Sequence, residues 1–397
     1  MTIIAVETTR LDAHPGLVFV ELHDSSQLIG LGETYFGAAA VEAWIHETAA
    51  PLLLGREPSE LGSGRGLLEG YVGYGGSGVE TRGRSAVDIA LWDLWARAHD
   101  LPLHDALGGR IRPVVRTYNT CAGPGYARGT EYRGTSSSGL GAGPLEDLVA
   151  ATDRPVELAR DLLGEGIGAM KVWPFDRFAE ADRGRSIGAH DLELGMAPLR
   201  KIRDAIGDGM DLIVELHAMW NARSAERILR RLEDIDPLFV EDPIRPDDAL
   251  AFRRLARTTA VPIATGETLA GTLPYRELLR NGAIDMAIVD PAWCGGITTV
   301  LDIASLAASF GATVTMHDCT GPVNLAVATH LAVHLPNVWI QESVRAFYRG
   351  WYEELATGFP AVSSGYIAPG SGIGHGVALR PDIRARNDIH VRRSDHR

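Results

Sequence analysis

Short apolar runs recur through the second half of the chain at a nearly constant interval, and six of them in a row end in a polar or titratable residue. The runs are 169–173, 212–215, 238–241, 263–267, 286–290, 313–317 and 338–342, with helical periodicity between each pair. Runs this short, apolar and bounded by turn residues predict buried parallel strands. With a further strand at 114–119 they make eight, the count of a (β/α)8 barrel. From Glu215 to Glu241 is 26 residues, and from Glu241 to Glu267 is 26 again; Asp290, His317 and Glu342 follow after 23, 27 and 25. That interval is one βα unit. The charged ends therefore fall around a single mouth, the C-terminal face on which such barrels carry their sites.

The first third has a different texture. Residues 1–35 alternate apolar and polar positions and predict a small antiparallel sheet. The stretch 30–37 predicts a glycine-flanked turn carrying an exposed acid, Glu33, and the aromatics Tyr35 and Phe36. The period then becomes helical, most clearly over 85–97, and closes at Leu107-Gly108-Gly109. A sheet followed by helices predicts an α+β unit over 1–113. A barrel over 114–354 follows, and the Gly/Pro-rich segment 355–397 is expected to fold back onto the first unit. The Gly/Ser-rich span 123–143 lacks the order of a phosphate-binding loop. A polar loop of that length is either functional or disordered.

Composition narrows the function. The chain has 397 residues, 45% of them hydrophobic and 22% charged, with a formal charge of -13. This is an ordinary globular balance, and the negative sign argues against nucleic acid or an anionic membrane as the main partner. There is no basic, then apolar leader pattern and no apolar run long enough to span a bilayer. Cys121, Cys294 and Cys319 make no disulfide framework or zinc motif, which fits a reducing cytoplasm. Neither Cys294 nor Cys319 carries a sign of activation beyond nearness to His317.

The strand ends carry the chemistry. Glu215, Glu241 and Glu267 come from three consecutive strands and should converge. Three carboxylates in one cleft repel unless a cation joins them. A hard divalent ion with oxygen ligands suits the set, and Mg²⁺ leaves positions for substrate. Zinc does not suit an all-oxygen set. Lys171, on the neighbouring strand, can supply further positive charge. Asp290 and His317 end adjacent strands, so the carboxylate can fix the imidazole's tautomer and raise its basicity. His217 lies two residues beyond Glu215 on the same strand, so the two side chains should point the same way. His330 and His334, four apart on an apolar helix, lack the glutamate of a zinc-protease motif, and that helix should lie outside the barrel.

These residues resemble the enolase superfamily and, within it, the mandelate-racemase-like subgroup. The resemblance runs from the helix Asp88-Ile89-Ala90-Leu91-Trp92-Asp93-Leu94 through Glu241-Asp242-Pro243 and Gly266-Glu267 to His317 and Glu342. It implies a capping domain over a barrel, Mg²⁺, and removal of the proton α to a carboxylate to give a metal-stabilised enediolate. On this basis Glu215, Glu241 and Glu267 are the metal ligands and His317 with Asp290 the base dyad. Glu342 contacts the substrate carboxylate, and the 33–35 turn is a mobile specificity loop. Relatives commonly form dimers or octamers, which implies a homo-oligomer.

Two departures stand out. The second-strand pattern Lys-x-Lys reads Lys171-Val172-Trp173, with tryptophan where a base would be, and the first metal ligand is Glu215 where aspartate is commoner. Loss of that base beside His217 resembles the acid-sugar dehydratases of the subgroup. There His317 takes the C2 proton, His217 assists loss of the 3-hydroxyl, and a 2-keto-3-deoxy acid results. Tyr35, Trp173 and Asn221 are expected to border the substrate, a small aldonate or aldarate. A two-histidine epimerase or cycloisomerase is the alternative, and a non-catalytic binding protein a more distant one.

Overall fold

The computed structural model describes residues 2–61, 68, 76–126, 128, 134–137 and 139–396. Within the span 123–143, positions 127, 129–133 and 138 therefore lie outside the described residues.

Eight parallel strands close into a barrel: β4 (Val115–Thr120), β5 (Ala169–Val172), β6 (Asp211–Glu215), β7 (Phe239–Glu241), β8 (Ile263–Thr265), β9 (Met286–Val289), β10 (Thr313–Met316) and β11 (Val338–Ser343). Each pairs with the next, and β11 closes on β4 through Glu342 opposite Tyr118. All eight expected strands are present. Their closure leaves no unpaired barrel edge.

Tyr118, Ala169, Ile213, Phe239, Ala264, Ile288 and Ile340 share one buried cluster. Because strand side chains alternate faces, the residues two positions further on point the same way. Those that still lie within their strands are Thr120, Lys171, Glu215, Glu241 and Glu342. The same pleat that fills the barrel with apolar side chains thus ends, at the C-terminal face, in a layer that is almost entirely charged.

In front of the barrel, β1 (Ile3–Leu11), β2 (His14–Asp24) and β3 (Ile29–Tyr35) form an antiparallel sheet, which the last strand, Ile389–Asp395, extends along β1. The helix Val79–Ala98 packs across β3. The expected turn at 30–37 is instead mostly strand, and its acid is fully buried. Gly30 and Gly32 mark close approach, not reversal. A Cβ at either would come within 2.1 Å or 2.0 Å of the carbonyls of Ala90 and Ala86.

Two carboxylates of the long helix tie the units together. Asp88 accepts from Thr298 N at 3.0 Å and Thr298 Oγ1 at 2.7 Å, at the start of the barrel helix Ile297–Ser309. Asp93 accepts from Leu31 N, Arg97 Nε and His375 N. The motif that carried the family resemblance is therefore a pair of structural clamps. Among the described residues, no helix is long and apolar enough to cross a membrane.

Candidate active site

The polar layer at the barrel mouth is built around Lys171. Its Nζ lies 2.8 Å from Glu241 Oε2, 2.8 Å from Glu342 Oε1 and 3.4 Å from Glu215 Oε2. Burial works against the charge on this lysine, but Glu241 and Glu342 outweigh it and hold the ammonium well above its ordinary pKa. Glu342 is anchored further by Thr120 Oγ1 and by Asp318 N at 3.0 Å.

Glu215, Glu241 and Glu267 each offer an oxygen to one point, with these oxygens within 4.8 Å of one another. Burial raises the carboxyls of Glu215 and Glu241, and repulsion from Glu215 raises Glu241 further. Glu241 Oε1 is buried without a hydrogen-bond donor, and Glu215 Oε2 has none beyond the ion pair with Lys171 at 3.4 Å. Orphaned carboxylate oxygens of this kind are costly unless a cation takes them up. An all-oxygen set fits a hard divalent ion.

His317 stands on one side of this cluster. Its Nδ1 is 2.6 Å from Asp290 Oδ2, and its Nε2 is 3.1 Å from Glu267 Oε2 and 3.7 Å from Glu342 Oε2. The dyad is set from behind: Asp290 Oδ1 accepts from Ala292 N at 2.7 Å, and Asn324 Nδ2 donates to the His317 carbonyl at 3.2 Å. Asn324 N in turn donates to Glu33 Oε1 at 2.7 Å, which links strand β3 of the capping sheet to the dyad. Burial lowers the His317 pKa, but Glu267, Glu342 and Asp290 carry it well above its ordinary value. Trp293 lies 5.0 Å from the His317 ring, and the Arg82 guanidinium stacks 4.5 Å from Trp293.

His217 has a second carboxylate of its own. Its Nδ1 is 2.6 Å from Asp176 Oδ2. Burial opposes protonation, but Asp176 and then Glu215 raise its pKa to about 10. The strand ends at Glu215, so the same-face expectation does not explain this placement. His217 and Ala218 instead take left-handed backbone, φ 46° and 56°, and His217 N turns back to Glu215 Oε1 at 2.6 Å. Non-glycine residues held in that region signal a locally over-determined site.

Trp173 packs edge-on against His217 at 5.4 Å and donates through Nε1 to Thr135 O at 3.2 Å. Tyr126 OH lies 3.5 Å from His217 Nε2. The described parts of the 123–143 span thus reach the site.

Nine of the expected residues converge here: Lys171, Trp173, Glu215, His217, Glu241, Glu267, Asp290, His317 and Glu342. Asn221 does not. It is exposed and caps the helix Ala222–Leu232, accepting from Ser224 N at 2.9 Å and donating to Arg185 O at 2.6 Å. Tyr35 belongs to a buried strand instead of an open loop, its ring against Phe36. Asp176 went unpredicted because it starts a short helix beyond β5 and carries no part of the strand-end interval. Burial lifts the Cys319 thiol to about 12, against activation as a nucleophile. His330 pairs with His104 and His334 Nδ1 lies 2.6 Å from Gly109 O, both structural, on a helix buried beneath the capping unit.

Residues 154–383 match the family model of the enolase C-terminal domain-like fold, and residues 3–108 match that of the mandelate racemase/muconate lactonizing enzyme N-terminal domain. A mandelate-racemase-subgroup enolase from Agrobacterium tumefaciens superposes with a TM-score of 0.88 at 39% identity, over 100% of this chain and 99% of that one. A D-galactonate dehydratase of Ralstonia nicotianae is 27% identical over 96% of this chain and 92% of its own. A D-gluconate dehydratase of Thermoproteus tenax is 29% identical over 75% of this chain, which spans only 54% of that relative's length. The chain belongs to the mandelate racemase/muconate lactonizing enzyme family of the enolase superfamily.

Proposed function

We propose that the protein dehydrates a sugar acid, an aldonate or aldarate, to a 2-keto-3-deoxy acid, with Mg²⁺ held by Glu215, Glu241 and Glu267. The observation that carries this reading is the pair of carboxylate-backed imidazoles, His317 with Asp290 and His217 with Asp176, each at 2.6 Å. Glu267 bears on both rings. Relatives named as sugar-acid dehydratases support the same class.

In this reading the cation that Glu267 would hold offsets the carboxylate that most raises the His317 pKa, so that the neutral ring, its Nδ1 held by Asp290, accepts the C2 proton at Nε2. His217, with a pKa of about 10, is protonated near neutral pH and delivers its proton to the departing 3-hydroxyl. Lys171 and Glu342 orient the substrate carboxylate, and Trp173, in place of a base, walls the second-strand side. Glu215, Glu241 and Glu267 would hold Mg²⁺, which would supply positive charge to offset the carboxylates and the negative charge that develops on the substrate. Ketonisation of the enol completes the reaction.

The test is a set of mono- and diacid sugars assayed for keto-acid formation with Mg²⁺ and with EDTA. His317→Asn is expected to lose both turnover and C2-proton exchange with D₂O; normal turnover by that variant refutes the assignment. The same paired imidazoles also suit an epimerase or cycloisomerase working on opposite faces of one carbon. A product that keeps the substrate's mass selects that second reading.

A further inference from the structure

Beside the all-oxygen cluster lies a second group of different donor chemistry. His317, Cys319 and Glu342 each offer a ligand atom, and these lie within 4.8 Å of one another. With Nδ1 given to Asp290, His317 turns Nε2 toward this group. A carboxylate behind the ring is the usual support of a metal-binding histidine. Glu342 divides its two oxygens. Oε1 is taken by Lys171 and Thr120, while Oε2 accepts from Asp318 N at 3.0 Å and, with a lone pair to spare, lies 3.7 Å from His317 Nε2. Tetrahedral zinc, with bonds of about 2.0–2.3 Å, holds its ligand atoms about 3.3–3.7 Å apart. The nitrogen–oxygen edge already has nearly that length.

We propose that His317, Cys319 and Glu342 form a binding site for a soft divalent cation such as Zn²⁺, whose occupancy withdraws His317 from proton transfer. Binding replaces the thiol proton, which leaves to solvent, by a sulfur–metal bond. The donor sets sort the ions: oxygen ligands suit Mg²⁺, whereas a thiolate with an imidazole selects zinc-like ions. Cys319 is also the partly accessible cysteine of the set, Cys121 and Cys294 being buried. The site stands on this geometry alone, and its inhibitory effect rests on the proposed role of His317.

The experiment titrates the full chain, saturated with Mg²⁺, with Co²⁺ as a spectroscopic probe and separately with Zn²⁺. Wild type is expected to develop a near-ultraviolet thiolate-to-cobalt band that Zn²⁺ abolishes, and Cys319→Ser and Cys319→Ala to develop none. The Zn²⁺ concentration for half-inhibition, taken against each variant's own activity, is expected to rise about tenfold or more. No band in wild type, or a band that persists in both variants, overturns the site. A Cys319-dependent band without loss of turnover sustains the site and refutes His317 as the base, so the two readings fail separately.

Discussion

Asp176 holds His217 through Nδ1 at 2.6 Å, in the same way as Asp290 holds His317 across the mouth. The site therefore has two imidazoles of matched orientation, and the proposed division of labour rests on what each faces. His317 Nε2 faces the carboxylates, whereas His217 Nε2 faces Tyr126. Asp176→Asn removes the charge that lifts His217 to about 10 while keeping the side-chain shape. The expected result is a fall in dehydration kcat of about 10²–10⁴-fold. Exchange of the C2 proton with D₂O should persist, as it should in His217→Asn. Equal loss of both signals, followed by NMR, would place Asp176 upstream of proton removal.

Much of this arrangement was legible in the chain because two periods coincide. Alternation within each strand carries Lys171, Glu215, Glu241 and Glu342 inward, and the βα interval puts them at one level. What escaped lies off both periods. Asp176 sits on a short helix, and His217 is placed by a left-handed turn after its strand has ended. Gly30 and Gly32 suggested a turn, because the close approach of a distant helix leaves the same mark on a sequence as a chain reversal. Asn221 is polar and near a strand end, but its side chain is committed to a helix cap. Long-range packing decides such cases, and local pattern does not record it.

Lys171 is the buried cation of a carboxylate cluster, so Lys171→Met leaves Glu215, Glu241 and Glu342 uncompensated. Breaking a buried pair from one side costs about 3–5 kcal/mol. The metal-free variant is expected to melt well below wild type. A bound divalent ion restores the missing charge, so Mg²⁺ should raise the variant's Tm by more than it raises that of wild type. Thermal melts with Mg²⁺ and with EDTA check this, and an equal Mg²⁺ effect on both proteins would count against Lys171 and the ion sharing one charge balance.

Glu33 couples stability to pH. It is fully buried, and burial raises its carboxyl to about 8 despite hydrogen bonds from Asn324 N and Val323 N. An acid whose pKa is higher folded than unfolded favours the folded state most when protonated. Its contribution is therefore complete below the ordinary value of 4.5 and drains away as pH rises through about 8. Glu33→Gln removes the titration and should flatten that part of the stability profile. Chemical denaturation across this range provides the measurement; an unchanged slope in the variant would assign the effect elsewhere.

Gly296 tests the clamp between the two units. Its backbone sits at φ 90°, and a Cβ there would lie 2.3 Å from Asp88 Oδ2. Asp88 cannot easily withdraw, because it holds Thr298 N and Thr298 Oγ1 at the helix start. Gly296→Ala thus meets two separate costs, a backbone conformation that L-residues avoid and a clash with a fixed carboxylate, together about 3 kcal/mol or more. Asp88→Gly removes the whole obstacle, including the Asp88 Cβ that would lie 2.4 Å away, but leaves the backbone cost. In an Asp88→Gly background, Gly296→Ala should therefore destabilise by less than it does alone, with a coupling of about 1 kcal/mol or more in a double-mutant cycle. Additive effects would mean that φ alone demands the glycine and that the carboxylate's proximity contributes nothing.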